Sequence, residues 1–208
     1  MTEPKIIPPT FQAQQTAIAS YNWEDLTSRL GYIDFLAVGT TSNNSGISYI
    51  LTNQVISGGT TSIVNESGST ELNFDTSVFN LPATIKGDCY IHVPSSIIND
   101  TATTQTETAI VTVVLYLVDA VGTETSLGTD FFSHSGSLGI GSSSYADILF
   151  KLPIASTHIK IGEKLRLSVT TNLTEGGGDS GLTFDPLDAG TTFQSSQLKI
   201  SVPFKIEI

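Results

Sequence analysis

The sequence predicts an all-β fold: a two-sheet antiparallel β-sandwich, jelly-roll-like, with an extended N-terminal arm and one short helix. The longest unbroken apolar run, residues 109–118, is rich in β-branched residues, which favour strands. Apolar and polar residues alternate over 197–208, the pattern of a strand with one buried face. Short apolar runs separated by turn residues recur without helix–strand alternation, which favours a sandwich over a parallel sheet.

Chain length predicts a single domain over residues 22–208, preceded by an arm at 1–21. A chain of 208 residues suits one large β domain. Three prolines and a glutamine-rich stretch give the arm no helical or strand period, so we expect it to be extended. Its apolar residues Ile6, Ile7 and Phe11 predict that the arm docks on a partner surface.

One short helix is predicted directly after the arm. Asn22 is a suitable N-cap, Trp23, Leu26 and Leu30 fall on one helical face, and Gly31 supplies a stop. Such a helix is suited to covering one end of the sandwich. We expect its apolar face, with Trp23 and Leu26, to take part in assembly.

The remaining pattern is of strands and turns. Pro94 and Pro153 are expected to end strands, and the polar Ser/Thr/Asn stretch 95–108 and the Gly/Ser-rich stretch 133–144 are expected to be loops. Pro203 predicts either an edge position or a β-bulge for the last strand. The predicted strands are residues 32–38, 47–52, 72–74, 81–85, 88–93, 109–118, 125–132, 145–152, 164–171 and 197–208.

The strand at 109–118 is apolar on both faces. One face can meet the opposite sheet, whereas the other needs a second cover. Ile110, Val114 and Val118 belong to that second face. The short helix, the arm or a neighbouring subunit are the candidates for covering it.

Composition and charge exclude some partners. Only 14% of residues are charged, and the net charge is −11, so a phosphate backbone would be repelled and nucleic-acid binding is not expected. We find no signal peptide and no apolar run long enough to span a membrane, so neither secretion nor membrane insertion is expected. Four Asn-x-Ser/Thr triplets are therefore interpreted as ordinary loop composition; they begin at Asn43, Asn65, Asn99 and Asn172.

No cysteine or histidine forms a recognisable catalytic or metal motif. Cys89, the single cysteine, lies in a strand-like segment and is expected to be a buried apolar residue. The histidines His92, His134 and His158 are far apart, and His92 should face outward between two apolar neighbours. A Gly-x-Ser-x-Gly elbow is absent, and the glycine-rich stretch 135–142 leads into a strand rather than a helix, so neither a serine hydrolase nor a phosphate cradle is expected.

Two sets of carboxylates are candidates for chemistry. Asp34 and Asp147 lie in strands, and a glycoside hydrolase would need two acids facing each other across a cleft. Outward-pointing, solvated acids are the simpler interpretation of both. A second set lies in a glycine-rich segment and is a weak candidate for a Ca²⁺ site, although its spacing matches no EF-hand; its members are Glu175, Asp179, Asp185 and Asp188.

Three segments resemble β-sandwich structural proteins of tailed-phage virions, of the decoration or head-associated type. They are Tyr-Asn-Trp-Glu-Asp-Leu at 21–26 with Leu-Gly-Tyr-Ile-Asp-Phe at 30–35, Ile-Gly-Glu-Lys-Leu-Arg-Leu at 161–167, and the alternating last strand. The resemblance implies an arm and a short helix ahead of a jelly roll that sits on the outside of the particle as an oligomer.

The sequence thus favours a virion structural protein: a capsid decoration, minor capsid or head-fibre subunit. We expect a homo-oligomer such as a trimer, bound to a major capsid protein, with no cofactor and no enzymatic activity. The alternative is a carbohydrate- or receptor-binding β-sandwich module, in which exposed aromatic side chains stack on sugars; the candidates are Tyr49, Tyr90, Tyr116 and Tyr145.

Overall fold

A computed structural model describes most of the β domain. Within the described residues the chain is all-β, and none of them lies in a helix long and apolar enough to cross a membrane. The described ranges are 30–41, 47–54, 62–66, 69–99, 101–175, 178–183 and 198–205.

These residues form eleven strands, among which β5 to β8 are the longest. The strands are β1 (Leu30–Thr41), β2 (Ile47–Thr52), β3 (Ser62–Glu66), β4 (Ser69–Asp75), β5 (Ala83–Ile98), β6 (Gln105–Val118), β7 (Glu124–Leu138), β8 (Ser143–Ile159), β9 (Lys164–Glu175), β10 (Asp179–Thr183) and β11 (Lys199–Lys205).

All eleven strands belong to one nearly closed sheet. The order is β3-β10-β5-β11-β1-β2-β4-β9-β6-β7, and β8 pairs with β5. Every pairing is antiparallel except that of β2 with β4, which rests on the single pair Ile50 and Asp75. β7 and β8 come close together but share no ladder among the described residues. The structure therefore confirms the all-β class but shows a single mixed sheet where two separate sheets were expected.

The core lies inside this sheet, where the inward faces of its two halves meet. On β6, Val111, Val113 and Leu115 are completely buried, whereas Ile110 and Val114 on the opposite face are half-buried. Both faces of this strand were expected to be covered: the described residues cover the inner face fully, but on the second face they bury only Val118 and leave Ile110 and Val114 half-buried. The largest fully buried side chains are Phe74, Ile85, Ile91, Ile97, Leu115, Leu152, Ile159, Leu165, Leu167 and Leu198.

Two prolines expected to end strands lie inside them instead. Pro94 lies within β5. Along one margin of β5 the partner strand is β11 up to His92 and β10 from Ser95 onward. Pro94 therefore occupies the change of partner, where a missing N–H breaks no ladder. Pro153 lies within β8, which among the described residues forms a ladder only with β5 and so tolerates proline on its other margin.

The third strand proline confirms one of the two expectations for it. β11 lies between β1 and β5 and is not an edge strand. Its register against β5 shifts between Ser201 and Phe204, so Pro203 sits at a bulge.

Three loop and helix expectations need correction. β1 already begins at Leu30, so Gly31 lies in a strand and does not end a helix; the rest of the predicted helix lies outside the described residues. β5 and β6 together occupy much of the expected loop 95–108. β7 continues to Leu138, which leaves a short turn at 139–142 where a long glycine-rich loop was expected. Polar, hydroxyl-rich strands with one exposed face lack the apolar signal on which those expectations depended.

Candidate functional site

The outer face of β6 and β7 carries an apolar surface. Phe131 on β7 stands directly opposite Thr112 on β6, which places it on the same face as Ile110 and Val114. Phe131 is 67% exposed, and the two β6 residues are half-buried. This outer face, defined by Ile110, Val114 and Phe131, is the second face of β6 and is not fully covered by the described residues.

The margin of β7 next to this face is also open. Among the described residues β7 forms a ladder only with β6, over its whole length. On the inner side of β7, Phe132 remains 46% exposed, although its ladder partner Val111 is fully buried. An edge strand with exposed apolar side chains is a site where another chain can pair or pack.

Two glycines let β7 approach the strands across the interior. A Cβ on Gly128 would stand 3.5 Å from side-chain atoms of Leu152 and Ile154. A Cβ on Gly136 would stand 3.5 Å from Ser144 and 3.6 Å from Ile97. The sheet is therefore closed by packing at both ends of β7, with no room for a long side chain at either glycine.

His134 lies between Gly128 and Gly136 along β7. It hydrogen-bonds to Ser144, with 3.2 Å between His134 Nε2 and Ser144 Oγ. His134 is buried, its Nδ1 has no partner among the described residues, and burial lowers its pKa, which favours the neutral imidazole. A serine beside a neutral histidine is the start of a nucleophile–base pair, but a triad also needs an acid on the other ring nitrogen.

The nearest acid along the inner face of β6 is Glu107, which hydrogen-bonds to groups other than His134. Glu107 is completely buried and accepts hydrogen bonds from Gln105 Nε2, at 2.5 Å, and from the Gly178 N–H, at 3.3 Å. His134 is paired in the ladder with Ala109, so Glu107 is its diagonal neighbour. The described residues thus join Ser144 and His134 without completing a triad.

A separate, polar surface crosses the outer face of β1, β11, β5 and β8. Ser201 donates to Asp34 at 2.5 Å, and the rings of Tyr32 and Tyr90 lie 6.0 Å apart. Lys151 pairs with Asp88 at 2.8 Å. Aromatic rings beside hydrogen-bonding groups on an exposed sheet face are suited to stacking against a sugar.

Asp34 and Asp147 both lie on this outer face but do not form a pair. The ladders connect Asp34 through Ser201 and Tyr90 to Lys151, so Asp34 and β8 are three strand spacings apart, about 14 Å. Paired glycosidase acids stand roughly 5 to 9.5 Å apart. Asp147 instead lies 3.6 Å from His92 Nε2. The outward-pointing interpretation of these two acids is confirmed, and the paired-acid arrangement is excluded by distance.

The side chains of the predicted calcium and assembly residues lie outside the described part of the chain. Asp185 and Asp188, and the side chains of Glu175 and Asp179, lie outside what the structure describes. No group of three or more metal-ligating side chains occurs within the described ranges. The arm and helix residues Ile6, Ile7, Phe11, Trp23 and Leu26 also lie outside the described residues.

The structure confirms the expected environments of Cys89 and His92. Cys89 is completely buried in the core, where burial raises the pKa of its thiol to about 12. His92 points outward between the buried Ile91 and Val93. Of the remaining histidines, His158 is exposed, with Nδ1 3.4 Å from Thr84 Oγ1.

The sequence did not reveal the roles of two residues that hold the sheet together. Asn99 was interpreted only as loop composition, an interpretation that is also wrong for Asn65 in β3 and Asn172 in β9. Asn99 is fully buried at the end of β5 and uses its side chain in four hydrogen bonds. Asp75 binds both Lys164 and Arg166 of β9. The alternating charges at 164 and 166 are visible in the sequence, but their partner lies about 90 residues earlier, so only the fold reveals it.

Comparison with known proteins finds likeness in fold only. No protein-family model matches the sequence, and no curated protein matches it. Two crystal structures of a CocE/NonD family hydrolase from Staphylococcus aureus match with TM-scores of 0.51 and 0.53 and 11% sequence identity, covering 82% of this chain and 36% of the hydrolase. This chain thus spans about a third of the length of the hydrolases that it resembles.

The hydrolase match corrects one expectation. The chain was expected not to be an enzyme because its sequence lacks a catalytic motif, and that expectation is wrong: the two matched structures with TM-scores above 0.5 are of a hydrolase. An identity of 11% shows the fold alone, so the reaction of those hydrolases is not assigned to this chain.

Viral capsid protein VP2 of infectious bursal disease virus also matches. Its subviral particle has a TM-score of 0.25 and 11% identity, covering 82% of this chain and 42% of VP2. A TM-score that low carries no argument about function. The resemblance to tailed-phage virion proteins therefore stays a prediction.

Proposed function

We propose that this chain is a structural subunit of a virus particle that associates with copies of itself through the outer face of β6 and β7. In its specific form, the proposal is a decoration, minor capsid or head-fibre subunit of a tailed phage, with a jelly-roll-like domain on the outside of the particle. Its expected partner there is the major capsid protein.

The observation that carries the proposal is the open outer face of β6 and β7. Ile110, Val114 and Phe131 lie on one face, and the neighbouring margin of β7 has no ladder partner among the described residues. A long free margin beside exposed apolar side chains is costly in an isolated molecule, because it invites pairing with other chains. Association of copies would bury both features.

Composition supports a position away from packaged nucleic acid. The net charge is −11, and nine lysines and arginines are spread over 208 residues. Such a chain is repelled by phosphates and suited to a particle exterior. Serine and threonine, rather than charged residues, supply much of the described outer surface of β7.

Association is tested by light scattering on the purified chain across a concentration series. We expect an oligomer, and we expect Phe131→Ser to raise the concentration at half-dissociation at least tenfold. Leu149→Ser is the matched control: Leu149 is also 67% exposed, but lies on the outer face of β8. A wild-type chain that remains monomeric at high micromolar concentration, or equal effects of both variants, overturns the assembly proposal.

The particle assignment needs a separate measurement. Quantitative mass spectrometry of purified particles from the source of the sequence should find this chain in many copies, and antibody labelling should reach it on intact particles. Its absence from particles would overturn the virion assignment, even if the chain forms oligomers in solution.

A second candidate, carbohydrate binding, is favoured by the outer face of β1, β11, β5 and β8. Tyr32 and Tyr90 lie beside Asp34, whose carboxylate is fixed by Ser201. A glycan array, read with and without a chelator, tests it. A bound glycan lost in Tyr90→Ala would support this candidate, and a blank array would remove it.

A further inference from the structure

Three connections meet at one end of the sheet. The β4–β5 connection (76–82) hydrogen-bonds to the β8–β9 connection (160–163): the Phe79 N–H donates to the Glu163 carbonyl at 2.8 Å, and the Gly162 N–H donates to the Phe79 carbonyl at 2.9 Å. The β6–β7 connection (119–123) is adjacent, because Ala120 Cβ lies 3.7 Å from where a Cβ on Gly162 would stand. We call this surface the loop end.

The loop end exposes an apolar side chain from every one of its connections. Exposed loop tips are normally polar, so a concentration of apolar residues at one end indicates a surface that is covered in the working protein. The residues are Val78 (52% exposed), Leu81 (69%), Val121 (87%) and Ile161 (65%).

The loop end is also where exposed lysines gather. Lys160 lies in the β8–β9 connection, Lys86 lies near the start of β5, and Lys205 ends β11, and all three are exposed. None of the ion pairs between described residues includes any of these three lysines. In a chain with a net charge of −11, this end is therefore a local basic surface.

The carboxylates nearby are already bound within the loop end. Asp119 accepts the N–H groups of Val121 and Thr123, and hydrogen bonds led by the one from Thr123 lower its pKa. Glu163 is buried and accepts the Lys160 N–H at 2.7 Å. These acids stabilise the turns and leave the exposed lysine ammonium groups available to an acidic partner.

The chain enters the sheet at this same end. Leu30, the first residue of β1, pairs with Lys205, and the ring of Phe204 lies 6.0 Å from that of Phe79 in the β4–β5 connection. An extended chain spans at most about 3.6 Å per residue, so Leu26 lies within about 14 Å of Leu30 and Trp23 within about 25 Å. A tether of this length therefore allows both apolar residues to reach the loop end.

We infer that residues 22–29 of the same chain dock on the loop end. This segment contains Trp23-Glu24-Asp25-Leu26. Its two large apolar residues match the exposed apolar side chains, and its two acids, which outweigh the single Arg29, match the basic surface. The short tether gives the segment an effective concentration of about millimolar order, which favours its own loop end over that of another copy. This docking does not depend on the proposed function.

The single tryptophan makes the docking measurable. We expect Trp23 fluorescence to be blue-shifted and poorly quenched by acrylamide in the full chain. Ile161→Asp should shift the emission to the red and raise the quenching constant at least twofold. Ile140→Asp is the matched control, because Ile140 has the same 65% exposure but lies in the β7–β8 turn at the opposite end.

Charge reversal tests the electrostatic half of the proposal. Lys160→Glu should also raise the quenching constant, and Lys199→Glu, an exposed lysine at the far end of β11, should not. Fluorescence of a solvated indole in the wild type, or equal responses to Ile161→Asp and Ile140→Asp, overturns the docking. Far-ultraviolet circular dichroism of each variant confirms that the sheet is intact, and a variant that loses it is replaced by Leu81→Ser.

Dilution distinguishes the chain's own segment from that of a neighbour. Docking within one chain leaves the emission maximum constant from micromolar to nanomolar concentration. A red shift on dilution that follows dissociation measured by light scattering would show that the segment comes from a second copy, and would overturn the inference as stated.

Discussion

Asn99 shows how much a single residue can hold together. Its side-chain N–H groups donate to the carbonyls of Thr103 and Leu138 at 2.8 and 2.9 Å, and its side-chain oxygen accepts the backbone N–H and the hydroxyl of Thr101. Its backbone also bonds to Ser142 and Gly141 in the β7–β8 turn. A buried amide that satisfies all of its donors and acceptors is among the most demanding positions in a fold.

Asn99→Asp should therefore destabilise the chain by about 2–4 kcal/mol, because a carboxylate of the same shape cannot donate to the part-buried carbonyl of Thr103 or to the buried carbonyl of Leu138. Chemical denaturation at neutral pH measures the loss. Asn172→Asp is the control, since Asn172 is exposed on β9 and begins the same kind of triplet. Similar denaturation midpoints for the two variants would contradict this account of Asn99.

Asp75 is the second residue on which the structure depends. Burial raises the pKa of its carboxyl, but hydrogen bonds and charge from Arg166 and Lys164 outweigh burial and hold that pKa below its ordinary value of 3.8. The distances are 2.6 Å to Lys164 Nζ and to Arg166 Nε, and 2.8 Å to Arg166 Nη2. About a quarter of each side chain is exposed, so the site lies between a surface and a buried ion pair.

We expect Asp75→Asn to cost about 1–2 kcal/mol at neutral pH. The folded-state pKa is lowered, so the carboxylate's contribution is present above pH 3.8 and is lost as pH falls through the folded pKa. The free energies of unfolding of wild type and variant should therefore converge as the pH falls below the folded-state pKa of Asp75. Asp88→Asn, which breaks the exposed pair with Lys151, is the control and should change little. A difference that does not shrink as the pH falls from neutral to below 3.8 would argue against the ion pairs as its cause.

At the scale of elements, β7 depends on two inward glycines. A Cβ at Gly128 would stand at ordinary contact distance from Leu152 and Ile154. We expect Gly128→Ala to be neutral or slightly stabilising, because alanine fits and restricts the unfolded chain. Gly128→Leu should cost about 1–3 kcal/mol, because the extra atoms must displace β8. Thermal unfolding measures both, and equal melting temperatures for the two variants would mean that β8 moves freely away from β7.

Elements were predictable from the sequence where burial alternated strongly. The apolar run of β6 and the alternation of β9 are visible directly, because every second side chain is buried over 107–115 and over 165–171. The end of β7 was not predictable from the sequence, because Ser-His-Ser-Gly-Ser over 133–137 shows no alternation of apolar and polar residues. Pro94 could be placed inside a strand only with knowledge of the change of partner from β11 to β10, which is a long-range fact.

At the scale of the whole molecule, the sequence predicts an all-β domain but not how its sheet closes. The parallel contact of β2 with β4 rests on Ile50 and Asp75, and no local pattern encodes it. The candidate site follows the same rule. The second apolar face of β6 was visible in the sequence, whereas its extension by Phe131 required the register of β7.

The pairing of Leu30 with Lys205 also determines how the domain would respond to force. Both ends of the described sheet leave from neighbouring positions on antiparallel strands. A pull on the two ends would therefore peel β1 from β11 one hydrogen bond at a time, like a zipper, rather than load all of the bonds together. If a subunit is attached through only one of these ends, the force does not pull β1 and β11 apart. If it is held by both ends, the β1–β11 ladder is the first part of the sheet to open.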